Sequence, residues 1–377
     1  MKILEYHCQD LDGQGWDFDR VKFGNINLLV GDTATGKTRL LNTIFNLGRF
    51  VAAKEFKNGR WEIVFEHRGI TYTWNLQTHK QNDSDESEVI IQEQLFKHEH
   101  ETLVPLIKRD GTSFVFDSKP MPKLSPRETS ISLLQEEEAI RPLWQAFSRI
   151  QRRLFSHDAL SNVSSFQVVP SQIVSHMRKK RDLERLFRAE MNLSANLFVL
   201  FQYFKKVYQG IVDYYLQVFP FIQDARIAEL SELQPNIAVP GHCPVFTIRE
   251  RGSNKWIPIN EFSSGMQKVL LILTDVFILP EGGVYIIDEY ENSLGLNAID
   301  FFPQFILDLE KDIQFFITSH HPYIINVIPP NNWFVFHRNG MKISIRYGEE
   351  LLEHFGKSRQ KAFVQLINDP FFAKGVE

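Results

Sequence analysis

The sequence predicts an α/β fold with a mixed sheet core, flanking helices, an antiparallel β part and a helical insertion. Three observations predict it. An apolar run at residues 26–30 leads through a glycine-rich loop into a helix pattern, and a second apolar run at 284–287 ends in two acidic residues. Between these runs, residues 126–230 show helical periodicity and contain a single glycine, Gly210. Strands buried on both faces form near-continuous apolar runs, as both of these are, with Asn27 the one polar residue among them.

The composition is that of a globular protein with ample material for a core. The chain has 377 residues, 43% of them hydrophobic and 23% charged, and its formal net charge is −4. A length of about 150 residues per domain predicts two or three units. The net charge excludes a globally basic nucleic-acid binder, so such contact would need a local patch. Cys8 and Cys243 lack metal-ligand spacing, which argues against a disulfide framework or a zinc site.

Export and membrane signals are not evident in the sequence. The segment MKILEYHCQD at the N-terminus lacks the apolar core of a signal peptide. The most apolar long run, Asn196 to Ile222, is interrupted by Lys205, Lys206 and Asp213, which favours a buried helix over a membrane span. We therefore expect a cytoplasmic protein without membrane contact.

Two hairpins are predicted in the N-terminal part. Residues 61–76 contain two β-rich runs that turn at Arg68-Gly69. Residues 104–116 form a similar pattern that turns at Asp110-Gly111. The polar, acidic stretch from Lys80 to Glu88 lies between them and is interpreted as a surface loop.

The rest of the chain changes from a helical to a β-rich pattern. Ser164 to Pro170 interrupts the helical middle and is interpreted as a short strand and a turn. The β-rich pattern returns after Pro235, a helix is predicted near Asn297 to Lys311, and Asn339-Gly340 marks a hairpin. We expect three segments, an N-terminal part of the core, a helical insertion and a C-terminal part of the core, at residues 1–125, 126–230 and 231–377.

A phosphate-binding loop is predicted between the first buried strand and the helix pattern of Arg39 to Phe45. It fits the Walker A pattern G-x-x-x-x-G-K-[ST] and consists of Gly31, Asp32, Thr33, Ala34, Thr35, Gly36, Lys37 and Thr38. The glycines let backbone N–H groups point at phosphate oxygens, and the helix N-terminus adds partial positive charge. Lys37 would reach the β- and γ-phosphates of ATP and Thr38 would ligate Mg²⁺, which predicts both as cofactors.

Two carboxylates end the apolar run at 284–287. Asp288 would hold Mg²⁺, directly or through water, beside Thr38. Glu289 follows it and would polarise the attacking water. A third apolar run, Ile313 to Ile317, is a neighbouring strand, and His320 lies just past its end. A histidine there would hydrogen-bond the γ-phosphate or the water, and His321 competes for this role.

Together these motifs resemble the ABC-type ATPase superfamily. Their order is the phosphate loop, FSSGMQ at 262–267, VYIIDE at 284–289 and TSHHP at 318–322. Within the superfamily the chain is similar to the SMC/RecF-like and OLD-like branch of AAA ATPases, over roughly residues 1–125 and 235–325. The resemblance implies an ABC-type P-loop nucleotide-binding domain that hydrolyses ATP to ADP and phosphate.

The resemblance also implies an ATP-dependent homodimer. Ser263 and Gly265 would contact the γ-phosphate bound by a second protomer. The residues agree, because Ser263 or Ser264 caps the following helix and leaves N–H groups free as a second anion site. Two helix N-termini would then hold one triphosphate, and loss of the γ-phosphate would open the dimer.

Two further loops follow from the resemblance alone. The D-loop would be Asn292 to Gly295, a contact to the second protomer. The Q-loop glutamine would be Gln167, with Gln172 as a second candidate. Departures from the family pattern at Thr33-Ala34 and at Met266 remove no catalytic group, so hydrolysis is expected, although its rate can be low.

The insertion carries basic and aromatic clusters. One basic run extends from His176 to Arg188. On helices such residues would line a groove for phosphate backbones, or pair with the interleaved acidic residues on a solvated face. The aromatic stripe at 198–219 is interpreted as core or a partner groove. A second basic cluster, also expected on a helix that would line such a groove, consists of Arg149, Arg152 and Arg153.

The leading functional hypothesis is an ATPase sensor or scaffold subunit. About one small unit of chain follows His320, so we expect no OLD-like nuclease domain and an effector, a nuclease or toxin, on another polypeptide. Similar stand-alone ATPases serve bacterial anti-phage systems. The first alternative is a RecF-like repair ATPase that binds DNA ends or gaps. The second, a transporter's nucleotide-binding subunit, is disfavoured by the size and basic residues of the insertion.

Overall fold

The structure is a computed structural model. It describes residues 1–11, 15–52, 57–82, 85–100, 102–153, 163, 165–189, 191–352 and 362–376. The chain divides into two compact units. The first unit comprises Met1–Arg153, Glu281–Tyr290 and Leu309–Glu377, and the second comprises Leu154–Pro280 and Glu291–Asp308.

A 15-stranded mixed sheet forms the framework of the first unit, which confirms the predicted α/β class. Its strands are β1 (Lys2–Asp10), β2 (Trp16–Phe18), β3 (Val21–Lys22), β4 (Ile26–Val30), β5 (Gly59–His67), β6 (Ile70–Asn82), β7 (Asp85–Glu99), β8 (Thr102–Asp110), β9 (Phe114–Phe116), β10 (Lys119–Pro120), β11 (Ile150–Arg153), β15 (Gly283–Ile287), β16 (Ile313–Thr318), β17 (Trp333–Asn339) and β18 (Lys342–Tyr347). The strand order is β10-β9-β8-β7-β6-β5-β1-β2-β18-β17-β4-β16-β15-β11, with β3 paired to β1.

The sheet has an antiparallel part and a parallel part. Strands β1 and β5 to β10 pair antiparallel in succession, whereas β17, β4, β16, β15 and β11 run parallel. Every residue of β15 and β16 is buried, as their apolar sequences predict. Parallel strands bring their carboxyl ends to one edge of the sheet, so the polar residues that follow them meet there.

Local turn signals explain the hairpins. Arg68 and Gly69 have φ values of 53° and 76°, and they connect β5 to β6 at the predicted turn. The predicted turns after Asp110 and at Gly340 are also present. The loop predicted from Lys80 to Glu88 is wrong, because β6 continues to Asn82 and β7 begins at Asp85. A polar sequence does not prevent strand pairing, since the backbone supplies the ladder hydrogen bonds.

Helices accompany the sheet in the first unit. Helix α1 follows the glycine-rich loop and buries one face, including Leu40, Ile44 and Leu47. Phe50 of this helix packs edge-on against Trp61 of β5. The helices of this unit are α1 (Lys37–Ala52), α2 (Ser130–Leu133), α3 (Arg141–Phe147), α11 (Pro322–Val327), α12 (Gly348–Leu352), α13 (Ala362–Asn368) and α14 (Pro370–Ala373).

Helices and a three-stranded antiparallel sheet form the second unit. Tyr215 is fully buried and contacts the rings of Phe219 and Phe246, so this part of the aromatic stripe is core. The elements are α4 (Ser171–Lys179), α5 (Leu183–Phe187), α6 (Leu193–Tyr203), α7 (Lys205–Val218), β12 (Ile222–Glu229), α8 (Leu230–Leu233), β13 (Pro244–Glu250), β14 (Trp256–Pro258), α9 (Ser264–Ile278) and α10 (Leu296–Asp308).

The described residues bear on the strand predicted at Ser164 to Pro170 and on the question of membrane-spanning helices. The strand predicted at Ser164 to Pro170 is wrong for the described residues 165–170, which form no strand. Val169 N–H instead donates to the carbonyl of His242, a single contact without a ladder. Of the helices that the structure describes, none combines the length and apolarity needed to cross a membrane.

Candidate functional site

The glycine-rich loop lies between β4 and α1 in the first unit. Gly36 has φ 98°, and a Cβ atom at this position would clash with Ile343 of β18. A residue with a side chain would therefore be strained here and would force the Ile343 side chain to move. Ala34 also has a positive φ, 65°, so the loop holds a tight curl at a residue other than glycine.

Lys37 is tied into the loop that precedes it. Its ammonium donates to the carbonyl oxygens of Gly31 at 2.8 Å and Asp32 at 2.7 Å. Thr35 Oγ1 donates to the same Asp32 oxygen at 2.8 Å. Only 6% of Lys37 is exposed. The positive charge therefore lies against carbonyl oxygens of the loop and is shielded from bulk solvent.

A hydroxyl and a carboxylate meet where the loop's helix begins. Thr38 Oγ1 donates to Asp288 Oδ1 at 3.1 Å. Asp288 follows β15 at the carboxyl edge of the parallel strands. Thr318, the last residue of β16, donates from its Oγ1 to the same Asp288 oxygen at 2.7 Å. Three segments that are remote in sequence thus converge on one carboxylate.

Arg152 contacts the other oxygen of this carboxylate. Its Nη2 lies 3.1 Å from Asp288 Oδ2, and the two side chains are 10% and 9% exposed. Its Nη1 donates to the side-chain oxygen of Asn42 on α1. The prediction that Arg149, Arg152 and Arg153 lie on a helix is wrong. They belong to or adjoin β11, because residues 150–153 pair with β15 as a parallel strand.

Glu289 turns away from the buried strand end. It has φ 50°, and its backbone N–H donates to Thr318 Oγ1 at 2.7 Å. The Glu289 residue is exposed, whereas the adjacent Asp288 is buried. The two neighbouring carboxylates therefore occupy different environments.

The two histidines after β16 differ in their contacts. His321 caps helix α11, and its Nδ1 accepts from the backbone N–H of Tyr323 at 3.3 Å. His320 precedes the cap and is exposed. A capping contact thus occupies one ring nitrogen of His321. The assignment of a γ-phosphate contact to His320 stays a prediction.

In the second unit, the Ser-Ser-Gly segment begins the long helix α9. Ser263 is the cap: its Oγ accepts from Met266 N–H at 3.3 Å, while Ser264 is the first helical residue. Both serines are exposed. Gly265 is buried against the predicted D-loop, since a Cβ atom on it would lie 2.7 Å from the carbonyl oxygen of Ser293.

Lys268 connects the same helix to the same loop. It is fully buried, and its Nζ donates to the carbonyl of Asn292 at 2.8 Å. Ser293 has φ 65°, so this loop is tightly turned at the residue that meets Gly265. The contacts from Gly265 and Lys268 fix the loop's conformation relative to the helix N-terminus.

The predicted Q-loop glutamine lies in the second unit. Gln167 is half-buried, and its Oε1 accepts from the backbone N–H of Asn192 at 2.6 Å, next to the start of α6. Gln172, the second candidate, is an exposed residue of α4. The assignment of a nucleotide contact to Gln167 stays a prediction.

Sequence reasoning missed Arg152 and Thr318 as members of the carboxylate cluster. Thr318 carries a readable signal, a hydroxyl residue at the end of an apolar strand beside the acidic strand end. The sequence around Arg152 carries no such signal, because β15, the strand with which β11 pairs, is remote in sequence. Only the sheet order shows that β11 lies beside β15.

The chain matches the model of a known protein family. A family model described as an AAA domain, putative AbiEii toxin, type IV TA system, matches residues 26–326, which include the loop and the Asp288 cluster. The chain belongs to this AAA family. The AAA assignment agrees with the resemblance to SMC/RecF-like ATPases. No curated protein matches the sequence significantly.

Solved structures similar to this AAA protein include SMC head domains. An SMC head bound to the C-winged helix domain of ScpA is 10% identical, with a TM-score of 0.51, covering 92% of this chain and 97% of its own. The SMC head of Thermotoga maritima has 12% identity, TM-score 0.45 and coverages of 92% and 99%. An SMC head bound to a ScpA domain derived from Pyrococcus furiosus has 12% identity, TM-score 0.48 and coverages of 94% and 98%. The likeness to the first of these three SMC heads shows that the chain has the ABC-type ATPase fold.

Proposed function

We propose that the protein binds and hydrolyses ATP with Mg²⁺, forms an ATP-bridged homodimer and controls a separately encoded effector in bacterial anti-phage defence. The observation that carries the proposal is the 3.1 Å contact between Thr38 Oγ1 and Asp288 Oδ1. It joins the phosphate loop to the acidic strand end. Hydroxyl and carboxylate oxygens are ligands that Mg²⁺ prefers, so the residues present fit the metal.

The phosphate loop supports nucleotide binding. Lys37 makes its hydrogen bonds to the carbonyls of Gly31 and Asp32, and it would transfer them to phosphate oxygens. The N-terminal N–H groups of α1 would contribute further donors. When bound, Mg²⁺ neutralises charge that develops on the phosphates.

The hydrolytic roles follow from position and exposure. Glu289, exposed beside the buried Asp288, would orient the attacking water and accept its proton. His320 would hydrogen-bond the γ-phosphate, since it is exposed just past the end of β16. Thr318 would keep Asp288 and the Glu289 backbone in place through its hydroxyl.

The Ser-Ser-Gly segment supports the homodimer. Helix α9 is 15 residues long, so its N-terminus carries the full partial charge of a helix end. Exposed Ser263 and Ser264 stand at that end, and Gly265 brings it against Ser293. An anion-binding surface of this kind fits a γ-phosphate held by a second copy.

The effector part of the proposal goes beyond the family description. Its printed words are an AAA domain, putative AbiEii toxin, type IV TA system, and they place the matched family in a toxin–antitoxin context. We propose that this chain supplies the ATPase component and that ATP-dependent opening and closing of its dimer is the signal to the effector. Either a nuclease or a toxin fits this role.

ATP turnover by purified variants tests the enzymatic part. Glu289→Gln should keep ATP binding and lower kcat by about 100-fold or more, because it removes the proton acceptor. Lys37→Ala should weaken ATP binding itself. The matched control is Glu349→Gln, which neutralises an exposed carboxylate on α12. Unchanged turnover in both site variants would contradict the assigned roles.

The effector part is tested by purification from the native host. A tagged chain should recover a stoichiometric partner protein that is identified by mass spectrometry. The Glu289→Gln variant should shift the partner's occupancy when ATP is added. If no stoichiometric partner is recovered with or without ATP, the effector proposal fails while the ATPase proposal stands.

DNA binding is the second candidate, favoured by one basic run. Arg178 to Arg181 are exposed at the end of α4, and none of them forms an ion pair with a described residue. Neutralising all four with glutamine should abolish salt-sensitive binding of duplex DNA. The control is Lys205→Gln with Lys206→Gln, an exposed pair on α7. Absence of binding by the wild type at low salt would refute this candidate.

A further inference from the structure

The carboxylate of Asp288 accepts hydrogen bonds at both of its oxygens. Oδ1 accepts from the hydroxyls of Thr38 at 3.1 Å and Thr318 at 2.7 Å. Oδ2 accepts from Arg152 Nη2 at 3.1 Å. With Asp288 and Arg152 about nine-tenths buried, the negative charge is compensated by a guanidinium of the same chain.

Arg152 is itself held in place from a second side. Its Nη1 donates to Asn42 Oδ1 on α1, the helix that begins with Lys37 and Thr38. The guanidinium thus bridges the phosphate-loop helix and the strand end that carries Asp288. A planar group with donors on two sides suits such a bridge better than an ammonium.

A divalent cation and this guanidinium would repel each other if both contacted the buried carboxylate of Asp288. Like charges repel strongly where solvent is excluded. Nucleotide phosphates change the balance, because they bring negative charge that a displaced guanidinium can pair with. Metal arriving with the nucleotide is therefore favoured over metal alone.

We propose that Arg152 is a resident cation that holds Asp288 before nucleotide binds and competes with divalent metal for that carboxylate. The proposal rests on the proposed function, which makes Asp288 a metal ligand. Arg152 acts through Asp288 and is a positioning residue.

Binding of Mn²⁺ without nucleotide tests the proposal, measured by electron paramagnetic resonance of free Mn²⁺. Arg152→Gln should bind Mn²⁺ at least about tenfold more tightly than the wild type, because it leaves Asp288 without its compensating cation. Arg152→Lys keeps a positive charge but loses the planar bridge to Asn42, so its Mn²⁺ affinity should lie between those of the wild type and Arg152→Gln. The control is Arg149→Gln, which removes a guanidinium of the same segment that contacts the Glu281 carbonyl. Its Mn²⁺ affinity should be unchanged.

Unchanged or weaker Mn²⁺ binding by a folded Arg152→Gln variant would overturn the competition. Thermal unfolding by circular dichroism establishes that the variant is folded. Arg152→Lys provides the second test if Arg152→Gln does not fold: Mn²⁺ binding by that variant no tighter than that of the wild type would also overturn the proposal. The double variant Arg152→Gln/Asp288→Asn should lose the gained affinity. If it retains that affinity, the assignment of Asp288 as metal ligand fails, which separates that failure from failure of the competition alone.

Discussion

Gly265 lies directly against Ser293: a Cβ atom on the glycine would be 2.7 Å from the serine's carbonyl oxygen. The obstacle is backbone rather than a flexible side chain. Gly265→Ala would therefore push the start of α9 away from the 292–295 loop. We expect this variant to bind ATP like the wild type and to lose at least about tenfold in turnover, since a small misplacement of catalytic groups is enough.

Gly295→Ala is the matched control for that experiment. Gly295 belongs to the same loop, and a Cβ atom there would have no heavy atom within 4 Å. Its turnover should equal that of the wild type. Equal losses in the two variants would show that the Gly265–Ser293 contact has no special role.

Thr318 is expected to matter through its hydroxyl. Thr318→Ala leaves a buried Asp288 oxygen and the Glu289 N–H each without one partner, which costs about 1–3 kcal/mol for an unsatisfied buried group. Thr318→Ser keeps the hydroxyl and loses one methyl group, at about 1 kcal/mol. Urea unfolding gives the free energies, and the Mg²⁺ dependence of turnover gives the functional effect. A serine variant as impaired as the alanine variant would contradict this account.

Substitutions of the two adjacent histidines should affect different properties, turnover for His320 and stability for His321. His320→Ala should lower turnover by about 10-fold to 100-fold and leave stability unchanged, because an exposed ring is removed. His321→Ala removes the cap of α11 and should cost about 1 kcal/mol of unfolding free energy with little change in turnover. Turnover and thermal unfolding, measured on both variants, decide the assignment. The reverse pattern would make His321 the catalytic residue.

The lowered pKa of His67 predicts that the free energy of unfolding depends on pH. Burial lowers the pKa of His67 to about 4, with a further contribution from the N-terminal amine and Arg68. The folded state thus disfavours the protonated ring, so the stability contributed by His67 is present above the unfolded pKa of about 6.5 and falls as pH decreases toward 4. His67→Gln should flatten this decrease in a series of thermal unfolding curves. His100→Gln, at an exposed turn residue, should follow the wild type.

The local elements could be predicted from sequence because their signals are local. Turn residues such as Arg68-Gly69 fix a hairpin by their own backbone preference. Ser263 could be recognised as one of two capping candidates because a cap contacts residues within one helical turn. The pairing of Thr38 with Asp288 was expected from two motifs whose chemistry requires them to meet.

Contacts across the sheet could not be predicted in the same way. Strand β11 is four residues long and reads Ile-Gln-Arg-Arg, which carries no apolar period to mark it as buried. It becomes a strand because β15 offers a partner edge, and this brings Arg152 to Asp288. The hairpin between β6 and β7 was missed for a related reason, since backbone pairing overrides polar composition.

The central claim is that ATP holds two copies together through the N-termini of α1 and α9. The most direct test is the molar mass of the Glu289→Gln variant by size-exclusion chromatography with light scattering, at saturating ATP and Mg²⁺. We expect twice the monomer mass with ATP, the monomer mass with ADP, and the monomer mass with ATP when Ser264→Arg is added to block the exposed end of α9. A Glu289→Gln protein that binds ATP and still has the monomer mass would contradict the account.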